Sequence, residues 1–396
     1  MRLLATISMM YSVRTLIFFY MLLLVACKEE SVAPIEDCAI LEGAFPQFLE
    51  LPPIGDNGSF DPTMAGDPAT GRVWMVFSRV DGGGGEGQVS AHLAFSDDHG
   101  TTWCYANQIN TSDKVQLSEL PEELTSAVSA HWSHEVSSIA YDPNASADQR
   151  WRMLWHRYLH VNDGVVGNDD RQFAYGWIAM KTASDPTLLA VAPEIKLFSG
   201  LGYYKSAETE MYNNAIGGTP AVRLHELHPA LSGGVIFTEP GMQVYQNELY
   251  VTLLLGSVAE GNSVVLLKFN NTLQKWNYVA TLLTPADAQA MDASWTNFSA
   301  TDLFIQDNQA YLLVSPADEL YYGVLLFKID LPTGTLFDSD GNGADIIWSL
   351  PKTSGSILTG VATYDALSYN SGILYGDAVI SGPQFRIYAT GYVPGN

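Results

Sequence analysis

The stretch FDPTMAGDPATGRVWMVFS, residues 60–78, places an acidic residue near the start of one apolar strand, followed by a polar turn and a second strand rich in branched and aromatic residues. The same plan recurs in FTEPGMQVYQNELYVTLLLG, residues 237–256. The segments that follow it are Phe60–Ser78, His134–Tyr158, Phe237–Gly256, Ala300–Pro316 and Ala362–Ile380. Such repetition is typical of a β-repeat architecture.

The repeated acidic residues predict a shared cavity. In a radial β-repeat, the equivalent strand of every unit lies against one axis, so acids at matching positions converge there. The acids that we match in this way are Asp61, Glu135, Glu239, Asp302 and Asp365. Long helical periodicity is nearly absent, which favours an all-β, five-bladed β-propeller.

The strand signals divide into blades of four. We expect blades at 60–109, 135–198, 235–283, 299–350 and 361–390. The last blade has three strand signals, and Gln47–Leu51 is predicted to complete it, which closes the ring and removes an exposed sheet edge. Six blades are the alternative if the loops at 117–131 and 200–231 contain further strands.

The N-terminus predicts export. Arg2 and Arg14 precede an apolar run, Leu16–Ala26, that is short for a membrane span and typical of a signal peptide. The run ends in LVAC, residues 24–27, which resembles the lipobox of bacterial lipoproteins and implies that Cys27 carries lipid. An ordinary signal peptide is the alternative.

The lipoprotein resemblance also implies a location. Lys28, directly after the cysteine, is compatible with sorting to the bacterial outer membrane, so we expect contact with the membrane through the lipid alone. Residues 28–46 are polar and aperiodic, as in a tether. We therefore predict a signal peptide at 1–26, a tether at 27–45 and a propeller domain at 46–396.

The charge limits the partners. A net charge of −24, from 19 basic and 43 acidic residues, argues against nucleic acid, because phosphate binding needs concentrated Lys and Arg. Anionic polysaccharides are repelled at long range unless a local basic patch intervenes. We expect a monomer that binds an oligosaccharide or polysaccharide.

Two cysteines remain after the predicted signal peptide and Cys27. An oxidising compartment permits a disulfide between Cys38 and Cys104, which ties the N-terminal tail to the first repeat. Two free buried thiols are the alternative.

Two motifs carry a family resemblance. Phe60-Asp61-Pro62, with the strand that follows, resembles the first blade of the five-bladed glycoside hydrolases of families 43, 32 and 68, and TEPG at 238–241 resembles their third blade. The resemblance implies that Asp61 is the general base, that Glu239 is the general acid, and that Glu135 tunes the acid and orients the sugar. These families usually have aspartate in the middle position, so Glu135 departs from them by one methylene.

The implied chemistry needs these residue types. One carboxylic acid protonates the leaving oxygen, and a second carboxylate activates water or attacks the sugar. The family 43 resemblance implies the first course, with inversion of configuration. The alternative from another class is a non-catalytic, glycan-binding or adhesive propeller in which the acids hydrogen-bond to hydroxyl groups or hold a cation.

A second resemblance points to sialidases. SDDHGTTW at 96–103 resembles the Asp box, a structural β-hairpin turn found in sialidases and other propellers. A six-bladed, sialidase-like enzyme is therefore a further alternative, and it requires three arginines that grip the substrate carboxylate. The candidates are Arg79, Arg157, Arg171, Arg223 and Arg386.

Further residues are candidates for binding. Trp132 and Trp295 precede proposed axial acids by a few residues and are predicted to stack on sugar rings. We expect His134, His156 and Asp302 to contact sugar hydroxyls.

The loop DSDGNG at 338–343 resembles the start of a calcium loop, with Asp338, Asp340 and Asn342 as ligands. Ser349 stands where the bidentate glutamate belongs, and a solvated turn is the alternative. Apart from this possible Ca²⁺, the predicted chemistry requires no cofactor.

Overall fold

The computed structural model describes residues 38–51, 55–81, 88–162, 170–318, 320–379 and 384–395. The predicted signal peptide, Cys27 and Lys28 lie outside these ranges. In the described part, no helix is long and apolar enough to cross a membrane. The described chain is mostly β-sheet, which confirms the predicted all-β class.

The strands form successive, largely antiparallel groups. Two short strands come first, β1 (Cys38–Ile40) and β2 (Gln47–Phe48), and the groups after them are termed blades 1 to 5. Blade 1 contains β3 (Gly58–Gly66), β4 (Val73–Asp81), β5 (Gln88–Ser96) and β6 (Thr102–Gln108); blade 2 contains β7 (Ser129–Tyr141), β8 (Trp151–Asn162), β9 (Asp170–Ala183), β10 (Ile195–Ser199) and β11 (Val222–Arg223); blade 3 contains β12 (Ile236–Tyr245), β13 (Glu248–Ser257), β14 (Gly261–Asn270) and β15 (Lys275–Leu283); blade 4 contains β16 (Asn297–Gln306), β17 (Gln309–Ala317), β18 (Gly323–Asp330), β19 (Thr335–Leu336) and β20 (Ile346–Pro351); blade 5 contains β21 (Ser356–Thr363), β22 (Leu374–Val379) and β23 (Phe385–Ala389).

The blades close into a ring. The first strand of each blade contacts the first strand of the next, from β3 through β7, β12, β16 and β21 and back to β3. A separate hydrophobic cluster packs between each pair of neighbouring blades, as expected when both faces of every sheet are buried. The short strand β2 pairs with β23, which confirms that the N-terminal segment completes the last blade.

Helices occupy the connections between strands. The α-helices are Ala207–Ala215, Leu224–Leu227 and Pro285–Met291, and the 3₁₀ helices are Leu117–Glu119, Glu122–Leu124, Ala147–Gln149, Pro186–Ala190, Leu201–Tyr204, Pro229–Leu231 and Ala366–Ser368. The loops at 117–131 and 200–231, in which a sixth blade was the alternative, contain short helices, the start of β7 and the two-residue strand β11.

The tail before blade 1 is tied to it. Strand β1 pairs with β6, and Cys38 is disulfide-bonded to Cys104 across this pair. Ordered pairing therefore begins before residue 46, where the sequence predicts the start of the domain. In the nearby turn between β5 and β6, Asp98 Oδ1 accepts hydrogen bonds from Ser96 Oγ at 2.9 Å and from Thr102 N at 2.7 Å.

Every inner strand contains a β-bulge. At each bulge the register slips, and one non-glycine residue has a left-handed φ; these residues are Asp61, Val136, Glu239, Ala300 and Val361. The expectation that five acids occupy matching positions is therefore wrong. Only two of the five bulge residues, Asp61 and Glu239, are acidic. The acids of the other three blades lie one, two and four residues away from the bulge residue; they are Glu135, Asp302 and Asp365.

Candidate active site

Asp61 and Glu239 occupy the same place in two blades. Each has a φ of 51°, and each precedes a proline. A bulge re-aims a side chain away from the regular alternation of the strand. Non-glycine residues in this region cost roughly 1–3 kcal/mol and cluster at functional sites. The bulge thus turns these two acids out of the packing between blades.

Asp61, Glu135 and Glu239 lie close enough for their charges to act on one another. Burial, followed by the charges of Glu135 and Glu239, raises the pKa of Asp61 well above its ordinary value. Burial also raises the pKa of Glu239 to about 7, and the charge of Glu135 adds to this effect. The surroundings of Asp61 and Glu239 therefore favour the protonated forms of both carboxyl groups.

Glu239 is held by the neighbouring blade. Tyr321 OH donates to its Oε1 at 3.0 Å, and Ser299 Oγ donates to its Oε2 at 3.1 Å. Thr301 Oγ1 donates to the Glu239 carbonyl at 2.9 Å, which fixes the bulge itself. The Tyr321 ring stacks on Phe60, directly before Asp61, at 6.5 Å between centroids. Residues of blade 4 therefore connect the two bulge acids.

Glu135 is held within its own blade. Tyr158 OH donates to Glu135 Oε2 at 2.5 Å, and Arg171 Nη1 lies 3.6 Å from the same oxygen. Since Glu135 lies one residue before the bulge of blade 2, it reaches the pocket by the regular alternation of β7. The side chain of Glu135 is one methylene longer than that of an aspartate, which compensates for its position one residue before the bulge.

Asp61 is the most buried of the three acids. Its residue surface is 2% exposed, and its Oδ2 atom is buried without a hydrogen-bond partner among the described residues. A buried carboxylate oxygen with spare acceptor capacity is suited to hold a water molecule or a sugar hydroxyl.

Blade 2 contributes an aromatic wall beside the acids. His156 Nδ1 lies 2.8 Å from Thr238 Oγ1, directly before Glu239, and burial lowers the pKa of His156 to about 3, so the ring is neutral. Phe173 stacks on His156 at 5.5 Å and meets Tyr158 edge-on at 5.0 Å. The predicted residue His156 is therefore at the pocket, although as a bridge between blades.

Four residues around the acids are not predicted from the sequence. Tyr158 donates to Glu135, Ser299 and Tyr321 donate to Glu239, and Phe173 packs against Tyr158. The one signal in the sequence is that Tyr158 lies two residues after His156, so both side chains lie on the same face of the strand. Phe173 comes from a third strand, Ser299 from the residue before a bulge and Tyr321 from a loop, and their positions depend on the tertiary fold.

Other predicted site residues lie elsewhere. Trp132 is 5% exposed and packs in the cluster between blades 1 and 2, on the face of β7 opposite to Glu135. His134 faces the same way, and its Nδ1 accepts a hydrogen bond from Trp155 at 3.0 Å. Trp295 packs against the cluster between blades 3 and 4. The alternation of β7 explains the placement of Trp132 and His134.

Asp302 lines a small cavity whose wall also includes Glu239. The charge that acts on Asp302 is that of Asp365. Asp365 in turn accepts a hydrogen bond from Gly66 N at 2.8 Å, between blades 5 and 1.

The loop that resembles a calcium loop lies next to a further carboxylate, Asp345, which is not part of the sequence motif. Oxygens of Asp338, Asp340 and Asp345 lie within 4.8 Å of one another. Asn342 donates its backbone N–H to Asp340 at 3.0 Å. Oxygen donors of this kind suit calcium, and the proposed ligand set gains Asp345.

The arginines that a sialidase requires do not gather at the acids in the described part of the chain. The contacts of the candidates other than Arg171 are Arg79 with Asp81 at 3.0 Å, Arg157 with Glu194 at 3.0 Å, Arg223 with Glu226 at 3.2 Å, and Arg386 over the Phe48 ring at 5.5 Å. Arg171 is the candidate that reaches the pocket.

Solved structures share this architecture. A fructofuranosidase of Schwanniomyces occidentalis complexed with fructosylnystose aligns over 89% of this chain and 60% of its own, with 10% identity and a TM-score of 0.51. An exo-inulinase of Aspergillus awamori aligns over 88% and 63%, with 11% identity and a TM-score of 0.50. The fold is that of glycoside hydrolase β-propellers.

A thermostable family-43 glycoside hydrolase aligns over 85% of this chain and 90% of its own, with 10% identity and a TM-score of 0.46. This chain spans about three fifths of the length of the fructofuranosidase and the exo-inulinase. No family model and no curated protein matches the sequence. At these sequence identities the similarity shows the fold alone, and the chemistry of this chain depends on the residues of its own site.

Proposed function

We propose that this chain is a glycoside hydrolase that acts on an oligosaccharide or a polysaccharide. The observation that carries the proposal is the proximity of Asp61, Glu135 and Glu239, which come from three successive blades and whose charges act on one another. A raised pKa near neutrality is what a proton donor needs, and burial gives Glu239 that value.

The reaction that fits these groups is inverting hydrolysis. Glu239 donates its proton to the glycosidic oxygen while the bond between that oxygen and the anomeric carbon breaks. Asp61 accepts a proton from a water molecule whose oxygen bonds to the anomeric carbon. Glu135 holds negative charge beside the donor and orients the sugar. This reaction requires that Asp61 is ionised while Glu239 carries the proton.

The second candidate is a non-catalytic, glycan-binding propeller, and the raised pKa of Asp61 favours it. Burial raises the pKa of Asp61 well above its ordinary value, and a protonated carboxyl donates to a sugar hydroxyl but does not remove a proton from water. The sialidase-like alternative receives no such support, because Arg171 is the one candidate arginine seen in contact with these acids in the described part of the chain.

Turnover and binding separate the candidates. We expect the wild-type chain to release sugar from at least one substrate in a panel of chromogenic glycosides and plant or algal polysaccharides. Glu239→Gln and Asp61→Asn are expected to lose turnover and to keep binding to that substrate, measured by calorimetry. Binding by all three proteins with no turnover by any of them supports the glycan-binding candidate instead.

The location is proposed from the sequence alone. We propose that lipid on Cys27 anchors the chain in the outer membrane of a bacterial envelope. Metabolic labelling with a radioactive fatty acid tests this, and Cys27→Ser is expected to remove the label and to release the protein from the membrane fraction. Label that persists in the variant would rule out Cys27 as the anchor.

A further inference from the structure

A small cavity lies on the ring axis beside the bulge acids. Its volume is about 20 Å³, and its lining includes residues of all five inner strands, among them Thr63, Ser137, Glu239, Thr301, Asp302 and Val361. A cavity of about 10–15 Å³ on this measure is enough for one water molecule. The space is therefore of the size of a single water, and Glu239 forms part of its wall.

Two polar groups in the lining have no hydrogen-bond partner among the described residues. These are Asp302 Oδ2 and Ser137 Oγ, on residues that are each 6% exposed. A buried polar group that is left unpaired costs roughly 1–3 kcal/mol. A polar occupant of the cavity removes both costs at once, and the hydroxyls of Thr63 and Thr301 offer it further partners.

The cavity is directly connected to the strand of Glu239. Thr301, next to Asp302, donates to the Glu239 carbonyl at 2.9 Å. The two strands touch here, since a Cβ atom on Gly241 would lie 2.7 Å from the Asp302 Cα. The cavity wall at Asp302 is therefore in contact with the strand that carries Glu239.

We propose that this cavity is a water site in which one water molecule bridges Asp302 Oδ2 and Ser137 Oγ, and that Asp302 acts through it as a positioning residue for Glu239. The part that concerns Glu239 rests on the proposed hydrolase function. The water site does not depend on it.

The protonation state of Asp302 favours a neutral water molecule in the cavity over a cation. Burial raises the pKa of Asp302 to about 8, and the charge of Asp365 on blade 5 adds to the rise, so the carboxyl is protonated at neutral pH. Glu239 on blade 3 is the other titratable group that lines the cavity. A protonated carboxyl donates a hydrogen bond to water and gives little attraction for a cation.

Crystallography at high resolution tests the water site without any substrate. We expect density for one water within hydrogen-bonding distance of Asp302 Oδ2 and Ser137 Oγ, retained in Asp302→Asn and lost in Asp302→Leu. An empty cavity overturns the proposal. So does an ion with metal–oxygen distances that a chelator removes.

The pH profile of kcat/KM tests the positioning role. Asp302→Asn keeps a neutral, hydrogen-bonding group, and we expect the wild-type profile below pH 8. We expect Asp302→Leu to have a kcat about tenfold to a hundredfold lower than wild type, with little change in KM. We also expect a shift in the pH at which kcat/KM falls on the alkaline side, because the ionisation of Glu239 sets that pH. A wild-type profile in Asp302→Leu overturns the positioning role.

Asp377→Asn is the matched control. Asp377 is also a buried aspartate, but it lies on β22 and is satisfied by Ser356 Oγ at 2.7 Å and Thr359 Oγ1 at 2.8 Å. We expect it to lower stability and to leave the pH profile unchanged. If the wild-type chain cleaves no glycoside, the hydrolase proposal fails, and the crystallographic test still decides the water site.

Discussion

Replacing Glu239 with glutamine is expected to remove activity and to increase stability at neutral and alkaline pH. The pKa of this carboxyl is 4.5 in its ordinary state and about 7 in the fold, chiefly through burial. As the pH rises from 4.5 to 7, the unfolded chain ionises at this position while the folded chain does not. The folded state therefore loses stability over this range, and the loss is complete above about pH 7.

The magnitude follows from the size of the rise. Each pKa unit is worth about 1.4 kcal/mol, so ionisation costs the folded state about 3 kcal/mol at pH 8. Glutamine does not ionise and avoids this cost. Its amide oxygen accepts from only one of Tyr321 and Ser299, which subtracts about 1 kcal/mol. We expect Glu239→Gln to be more stable than wild type by about 2 kcal/mol at pH 8 and slightly less stable at pH 4.

Urea unfolding at pH 4 and pH 8 measures this difference. Glu260→Gln, the same chemical change on an exposed turn residue, is the control, and we expect it to match wild type at both pH values. A difference between Glu239→Gln and wild type that is the same at pH 4 and pH 8 refutes the burial argument. In turnover, loss of a general acid is expected to cost about 10²- to 10⁴-fold in kcat.

Further substitutions test the rest of the pocket and the tail. Asp61→Asn is expected to lower kcat by about 10²- to 10⁴-fold while substrate binding persists, and wild-type kcat would exclude Asp61 as the base. Phe173→Ala is expected to raise KM about tenfold in steady-state kinetics, because the bound sugar ring loses an aromatic face beside the acids. Trp295→Phe is the control and is expected to leave KM unchanged, since Trp295 packs between blades 3 and 4. Cys38→Ser combined with Cys104→Ser is expected to reduce unfolding stability by about 4 kcal/mol, and stability equal to oxidised wild type would show that the cross-link contributes nothing.

The architecture could be predicted from the sequence because each inner and second strand carries a local signal. Alternating apolar residues and polar turns mark the strands, and the missing strand of the last blade matches the unassigned segment at 47–51, whose first two residues pair with β23. The bulges could not be predicted, since a bulge inserts a residue without a composition of its own. That is why the sequence predicts Asp302 and Asp365 at positions equivalent to Asp61, although the bulge residues of their blades are Ala300 and Val361.

The candidate site was predictable to the extent that its acids lie beside recognisable turns. Asp61 and Glu239 each precede a proline, which made them visible. The groups that hold them, such as Tyr158 and Tyr321, come from other strands and loops, and only the closed ring brings them near. Trp132 lies on the face of β7 opposite to Glu135, because closeness in sequence to an acid does not reveal which face of a strand a residue occupies.

The most direct test is a crystal structure of Glu239→Gln with the oligosaccharide that the wild-type chain cleaves fastest. We predict that the scissile glycosidic oxygen lies within hydrogen-bonding distance of the residue 239 side chain and that Asp61 faces the anomeric carbon from the other side of the sugar. A sugar bound away from these two side chains, or no bound sugar at all, would contradict the assignment of the three converging carboxylates as a hydrolytic site.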